Sequence, residues 1–313
     1  MGEESISRGK RRYRHSESHP PPQKAIYMFS FDLSAMVENS RGAVEFTEGE
    51  RREFKHNGFL VIPDAIDDEA LGQIRDVVWD SIPEDPESRD DLLEAEYRNL
   101  GGKDPSVTDR EPFYPIWEQM FSYADELVGG DSLIAPEPSD LDGWLSLNLN
   151  FPDEGRPEDA NSPSTSDISG HVDGFGDGFS EPPGFTIAGT VYVDRVPPRG
   201  GGLTVWPGSH WSAAEHFESN DVEGFVDAQS NQNEPPYDVG DPFEVAGGAG
   251  SLVLWHGRLQ HTTGVNLGSN VRVGLFKRFH HEDYDDHWEQ DLEQPFAHWP
   301  AIQDIDTKGT HLQ

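Results

Sequence analysis

Cysteine is absent from this 313-residue chain, which excludes disulfides, thiolate metal sites and cysteine nucleophiles. Positive charge is scarce: 23 Lys and Arg stand against 59 Asp and Glu, a formal net of −36. Nucleic acids and anionic membranes both require a basic face, so neither is an expected partner. Apolar residues are few, at 34%, and no apolar run approaches the ~20 residues of a membrane span. Self-repulsion on this scale loosens a compact state in dilute buffer, whereas at molar salt the screening length falls to about 3 Å. No long acidic tail accounts for the charge. The surface reads as that of a cytoplasmic protein from a salt-accumulating halophile, with an ordinary acidic protein as the alternative.

What is present points to β structure. Seventeen Phe and eight Trp supply bulky core material, and 32 Gly with 24 Pro imply many turns. Residues 1–40 are polar, basic and proline-bearing and read as a disordered tail, leaving 41–313 as a single domain. An arginine pair in this tail precedes a short apolar run, but Asp32 interrupts it, so an export signal is not expected. Thr47 and Glu50 form a capping-box signal, "GFLVIP" reads as a strand closed by Pro63, and Asp67 can cap a second helix. Ala70, Leu71, Ile74, Val77 and Val78 recur there at helical spacing, and a third helix is expected within "PFYPIWEQMFSYADELVG".

From about Leu141 the pattern becomes one of short strands. "WLSLNLNF" alternates, with Leu145, Leu147, Leu149 and Phe151 on one face and Ser146, Asn148 and Asn150 on the other. "FTIAGTVYV", "GLTVWP", "DPFEVA", "SLVLWH" and "NVRVGLFKRF" follow without long helices between them. The expected fold is mainly β, a sandwich or barrel such as a jelly roll, with α-helices flanking it on the N-terminal side. The acidic stretch 211–241 reads as an insertion at its mouth.

Chemistry concentrates in "SGHVDGFGDG". His171 and Asp173 are two apart, so in an extended segment both side chains point to one side. Alone, this is a weak signal, because a solvated turn explains it as well. A third ligand has to come from elsewhere, and His256 and His261 are available in "SLVLWHGRLQHTTGVNLGSNVRVGLFKRF". That segment has the form of a hairpin turning near "GVNLGSN", which would set His261 roughly opposite Arg272. An arginine able to grip a carboxylate beside a metal-capable histidine is a rarer arrangement, although a structural salt bridge also explains Arg272.

"HVD", "GGLTVWPGSH" and "WHGRLQHTTGVNLGSNVR" together resemble the phytanoyl-CoA dioxygenase family of Fe(II)- and 2-oxoglutarate-dependent oxygenases, over roughly residues 47–282. The resemblance implies a double-stranded β-helix (cupin-like jelly roll) core, and His171, Asp173 and His261 as the 2-His-1-carboxylate ligands of Fe(II). It further implies that Arg272 holds the distal carboxylate of 2-oxoglutarate, with Asn148 and Thr190 at co-substrate positions, and that O2 is consumed. The implied reaction is hydroxylation with release of succinate and CO2, since related halogenases lack the carboxylate supplied here by Asp173. His210 and His256 fall on motif positions expected to serve structural hydrogen bonds, and His280 and His281 read as surface residues. Phe175 either packs or borders the substrate, with packing favoured. The expected substrate is a small metabolite or lipid-derived molecule, because few cations would serve the phosphates of a coenzyme-A thioester unless Arg195, Arg199 and Arg258 assist. Two alternatives remain: a zinc hydrolase using the same three residues, and a binding module that has lost turnover.

Overall fold

Thr47 starts the first helix in the way its sequence predicts. Its hydroxyl accepts from Glu50 N while the Glu50 carboxylate reaches back to Thr47 N, closing a capping box on α1 (Glu48–Asn57). Such a cap contributes ~1 kcal/mol. Gly58 ends α1 in the left-handed conformation and leads into β1 (Phe59–Ile62). Asp67 Oδ1 accepts from Ala70 N to begin α2 (Asp68–Ser81), whose buried face is Leu71, Ile74 and Val78. The short α3 (Arg89–Glu94) and the edge strand β2 (Arg98–Leu100), which pairs with β3 alone, follow, and then α4 (Tyr114–Val128) fills the third expected helix. In this computed structural model the described residues are 44–307 apart from 97, 101–106, 109–110, 135–144, 154–167, 177–178 and 233. The basic tail expected over residues 1–40 lies outside them.

The strands are β3 (Ser146–Asn150), β4 (Ile187–Tyr192), β5 (Leu203–Val205), β6 (Phe243–Glu244), β7 (Leu252–His256), β8 (His261–Thr263) and β9 (Arg272–Phe279). Of the nine strands among the described residues, six form an antiparallel sheet in the order β1-β7-β4-β9-β3-β2, and three form a second in the order β6-β5-β8. Among the described residues helices account for more of the chain than strands do, so the β character is concentrated in 146–279. Three helices go beyond the N-terminal set: α5 (Ser209–Phe217) and α6 (Val222–Gln232), which occupy much of the acidic stretch, and α7 (Tyr284–Glu293).

Strand alternation divides the large sheet into two unlike faces. Leu147, Leu149, Ile187, Val191, Leu252, Leu254, Val273 and Leu275 point to one side, where they pack with Leu71, Ile74 and Met120 of the N-terminal helices. This is the leucine face of "WLSLNLNF", and it forms the main core as its pattern predicts. Register then dictates what the opposite face carries. Asn148 lies across from Gly274, Asn150 from Arg272, Thr190 from Phe276 and Ala188 from Arg278. Ala188, Tyr192, Val253 and Trp255 of this face pack in a second cluster with Val205 of the small sheet.

The expected hairpin does not form. β8 pairs with β5 in the small sheet, while β9 pairs with β3 and β4 in the large one. Arg272 lies opposite Asn150 and not opposite His261. Between β8 and β9 the chain crosses from one sheet to the other, held partway by the Gly200–Asn266 bridge and by Asn266 Nδ2 donating to Asn150 O.

Candidate metal centre

His171 and His261 are joined by a local device. The two residues exchange both backbone hydrogen bonds, His171 N to His261 O and His261 N to His171 O, each 3.0 Å. A pair bonded this way directs both side chains to the same side, and the imidazole centroids stand 4.9 Å apart. Asp173 comes to the same place by the two-residue period. Its Oδ1 is 3.1 Å from His171 Nε2 and its Oδ2 is 3.7 Å from His261 Nε2. One candidate ligand atom from each of His171, Asp173 and His261 lies within 4.8 Å of the others.

The glycine content of the loop has a geometric cause. Gly174 adopts φ +85°, and a Cβ there would stand 2.1 Å from Gly184 N. The turn after Asp173 therefore packs backbone to backbone against Pro183 and Gly184, which only glycine permits. Phe175 points away into an aromatic cluster with Phe217 and Phe225, where it is fully buried; it packs. Gln229 of α6 fixes the segment from the other side. Its Oε1 accepts from Val172 N at 2.8 Å and its Nε2 donates to Val172 O at 2.9 Å.

Protonation suits a cation site. The Leu259 carbonyl, 2.8 Å from His261 Nδ1, can only accept, so that nitrogen carries the proton and Nε2 presents its lone pair toward Asp173. Burial lowers the His261 pKa to about 4 although Asp173 pulls the other way. Burial works against ionisation of Asp173, but the His171 hydrogen bond and the charge of the Arg278 guanidinium more than offset it. Its carboxyl is held well below the usual range. Two imidazole nitrogens and one carboxylate oxygen form a donor set that fits a first-row divalent metal.

Arg272, Asn148 and Thr190 share the inner face of the large sheet, on neighbouring strands. The buried Arg272 side chain lies over Gly274, where a Cβ would stand 2.6 Å from its Nη1. Its Nε donates to Gly201 O at 3.0 Å, an oxygen that also accepts from Asn150 Nδ2. The guanidinium therefore sits in the row of Asn148 and Tyr192. The Thr190 hydroxyl donates to Leu275 O at 3.3 Å, so what it can offer a ligand is its lone pairs. Phe276 occupies the next row and stacks on Trp255, which in turn packs against His261.

His256 and His210 stand outside the cluster, each bonded to backbone. His256 Nε2 donates to Pro295 O and its Nδ1 accepts from Arg258 N; His210 Nε2 donates to Lys55 O. Burial drives the pKa of His210 down to about 3 and that of His256 well below its ordinary value. The surface reading holds for His280, but His281 is half-buried, with its ring against His287. His287, Asp291 and His298 make a second cluster. There each imidazole takes its own oxygen of Asp291, and the rings are stacked 3.7 Å apart and 13° from parallel. Parallel rings aim their nitrogens side by side and do not converge on one point, so this is a hydrogen-bonded clamp between α7 and the segment after it.

One neighbour of the first cluster escaped the sequence reading. Arg278 Nη2 and Nε donate to Asp173 Oδ2 at 2.6 and 3.0 Å. The signal was available in the alternation Arg272, Gly274, Phe276, Arg278, which puts both arginines on one face.

The family model described as phytanoyl-CoA dioxygenase (PhyH) matches residues 158–274, a span that includes His171, Asp173, His261 and Arg272. That match, with the His-Asp-His cluster, defines an enzyme of the 2-oxoglutarate-dependent oxygenase class, which works with Fe(II), 2-oxoglutarate and O2. Within that class, residues 158–274 are similar to the phytanoyl-CoA dioxygenase family. Among solved structures the chain is similar to SnoK, a non-haem alpha-ketoglutarate-dependent carbocyclase from nogalamycin biosynthesis. The two are 16% identical, with 75% of this chain and 84% of that one covered and a TM-score of 0.46. It is also similar to EctD from S. alaskensis, solved with 2-oxoglutarate and 5-hydroxyectoine, at 15% identity, 78% of each chain and a TM-score of 0.46. No curated protein matches the chain.

Proposed function

We propose that His171, Asp173 and His261 hold one Fe(II), that Arg272 grips the distal carboxylate of 2-oxoglutarate beside Asn148 and Thr190, and that the enzyme hydroxylates a small-molecule or lipid-derived substrate. The observation that carries this reading is the reciprocal His171–His261 bridge with Asp173 beside it, which converges two nitrogens and a carboxylate. Bound there, Fe(II) supplies the activation of O2 that couples decarboxylation of 2-oxoglutarate, to succinate and CO2, with hydroxylation. The chain's own work is positional. Leu259 O orients the His261 ring, Arg272 supplies a fork matched to a carboxylate, and Trp255 with Phe276 forms an apolar wall. A coenzyme-A thioester is disfavoured. Of the arginines that could serve its phosphates, Arg258 is 2% exposed and lies over the Phe175 and Tyr284 rings.

Strand order supports a finer reading of the fold as a double-stranded β-helix. From β3 onward the chain alternates between sheets: β3 large, His171 bridged to the small, β4 large, β5 and β6 small, β7 large, β8 small, β9 large. On that reading 41–313 is one domain, and α5 and α6 ride on the connection from β5 to β6.

Anaerobic Fe(II) with 2-oxoglutarate should give a weak visible band from the chelate, and admitting O2 should release succinate even without a good substrate. Asp173→Ala and His261→Ala should each lose the band and roughly a hundredfold or more of the succinate, since even residues that only support metal ligands cost 10–100-fold. A zinc hydrolase would give neither signal, and a binding module would give the band without succinate. Wild-type protein showing no band in molar KCl would overturn the reading.

The acidic surface supports a second proposal, that the protein works in the salt-laden cytoplasm of a halophile. No helix among the described residues is long and apolar enough to cross a membrane. Its melting temperature should rise from dilute buffer to molar KCl as the repulsion of −36 charges is screened. A flat or falling melting temperature would refute the adaptation.

A further inference from the structure

We infer that Arg278 is a positioning residue that keeps Asp173 a one-oxygen ligand, an assignment that rests on the iron-binding reading above. Both Arg278 donors converge on a single carboxylate oxygen, Oδ2, at 2.6 and 3.0 Å. The other oxygen, Oδ1, faces His171 Nε2. Two charge-assisted bonds to Oδ2 withdraw it from competition for a cation and leave Oδ1 as the metal-facing atom.

The guanidinium is itself held in place. Its central carbon lies 5.0 Å from the Phe276 ring centroid and 5.5 Å from that of Phe185, two cation–π contacts that hold the planar group against the sheet. Arg278 also lies opposite Ala188 in β4, on the same face of the sheet. A purely decorative surface arginine would not need two ring platforms and a shared oxygen. The side chain is 47% exposed while its carboxylate partner is 14% exposed, so the pair sits at the edge of the site with the anion inward.

The consequence follows from counting positions. A 2-His-1-carboxylate site is useful because three protein atoms leave one face open for co-substrate and oxygen. A carboxylate free to rotate can bind a cation through both oxygens, as carboxylates do elsewhere, and would then occupy a position that 2-oxoglutarate needs. Arg278 acts through Asp173 against that outcome.

The test compares wild type with Arg278→Met and Arg278→Lys in anaerobic titrations that read the chelate band, with melting temperature as the folding control. At saturating Fe(II), the 2-oxoglutarate midpoint of Arg278→Met should rise at least tenfold, while Fe(II) itself is bound no more weakly than by wild type. Arg278→Lys should fall between the two, because an ammonium can meet Oδ2 with one donor but lacks the fork. An unmoved 2-oxoglutarate midpoint in Arg278→Met, with or without tighter Fe(II) binding, would overturn this assignment alone. Absence of the band in wild type would overturn the iron-binding reading and this assignment with it.

Discussion

Arg272→Ala is expected to raise the 2-oxoglutarate concentration needed for half-maximal chelate band by roughly thirtyfold or more, with Fe(II) binding almost unchanged. Removing one partner of a buried, hydrogen-bonded charge pair costs ~2–5 kcal/mol, and ~1.4 kcal/mol is tenfold. Arg272 is buried, and its side chain is held over Gly274 by the bond from Nε to Gly201 O. It stands on a different strand from every member of the His-Asp-His cluster, so its loss leaves that cluster's own contacts in place. Arg272→Lys keeps the charge and loses the planar fork, and should recover only part of the affinity. Titrating the band with 2-oxoglutarate at fixed Fe(II) measures both variants. A midpoint in Arg272→Ala equal to that of wild type would remove Arg272 from co-substrate binding.

Acid should unfold the protein well before its carboxylates are all protonated. His210 is neutral in the fold down to about pH 3 and His256 is likewise held far below its ordinary pKa, in both cases by burial. In the unfolded chain each titrates near 6.5. Below that pH the unfolded state binds more protons than the native state, so stability falls as pH falls. The loss begins near pH 6.5 and continues down to the folded pKa values. Each histidine contributes about 1.4 kcal/mol per pH unit over that window, so the pair contributes roughly 3. Against a typical total of ~5–15 kcal/mol, two pH units are enough to threaten the fold. Melting curves from pH 8 to 4.5, taken in molar KCl so that surface repulsion is already screened, should show a steep decline starting near 6.5. A melting temperature constant down to pH 5 would show that these histidines are protonated in the fold.

Local signals were legible in the sequence where the chain's own chemistry decides the outcome. Thr47 with Glu50 and Asp67 with Ala70 set helix starts, and the two-residue alternation of "WLSLNLNF" sorted leucines to the core and asparagines to the inner face. The juxtaposition of His171, Asp173 and His261 also followed, through the motif order that the family resemblance supplied. The hairpin between β8 and β9 failed for a physical reason. Adjacent strands in sequence suggest pairing, but three residues of β8 bond to β5 from some sixty residues earlier, and nothing local in "GVNLGSN" encodes that partner. Arg278 escaped because a charged residue near the end of a strand ordinarily faces water. Its partner Asp173 lies 105 residues away, and only the assembled sheet brings them together. Gln229 escaped for a related reason: it continues the face of Val222, Phe225 and Val226 by one more turn, where a polar residue ordinarily marks the solvated end of an apolar stripe.

Gln229 has one more effect. Successive backbone groups of an extended segment face opposite sides; those of His171 are taken by β8, so those of Val172 face outward, where a further strand would add. An open row of this kind is a template for another chain. The Gln229 carboxamide satisfies the donor and the acceptor of Val172 together, closing the edge of the small sheet with a side chain. The segment that carries His171 and Asp173 is thereby guarded against self-association at the place where it could least tolerate a second partner.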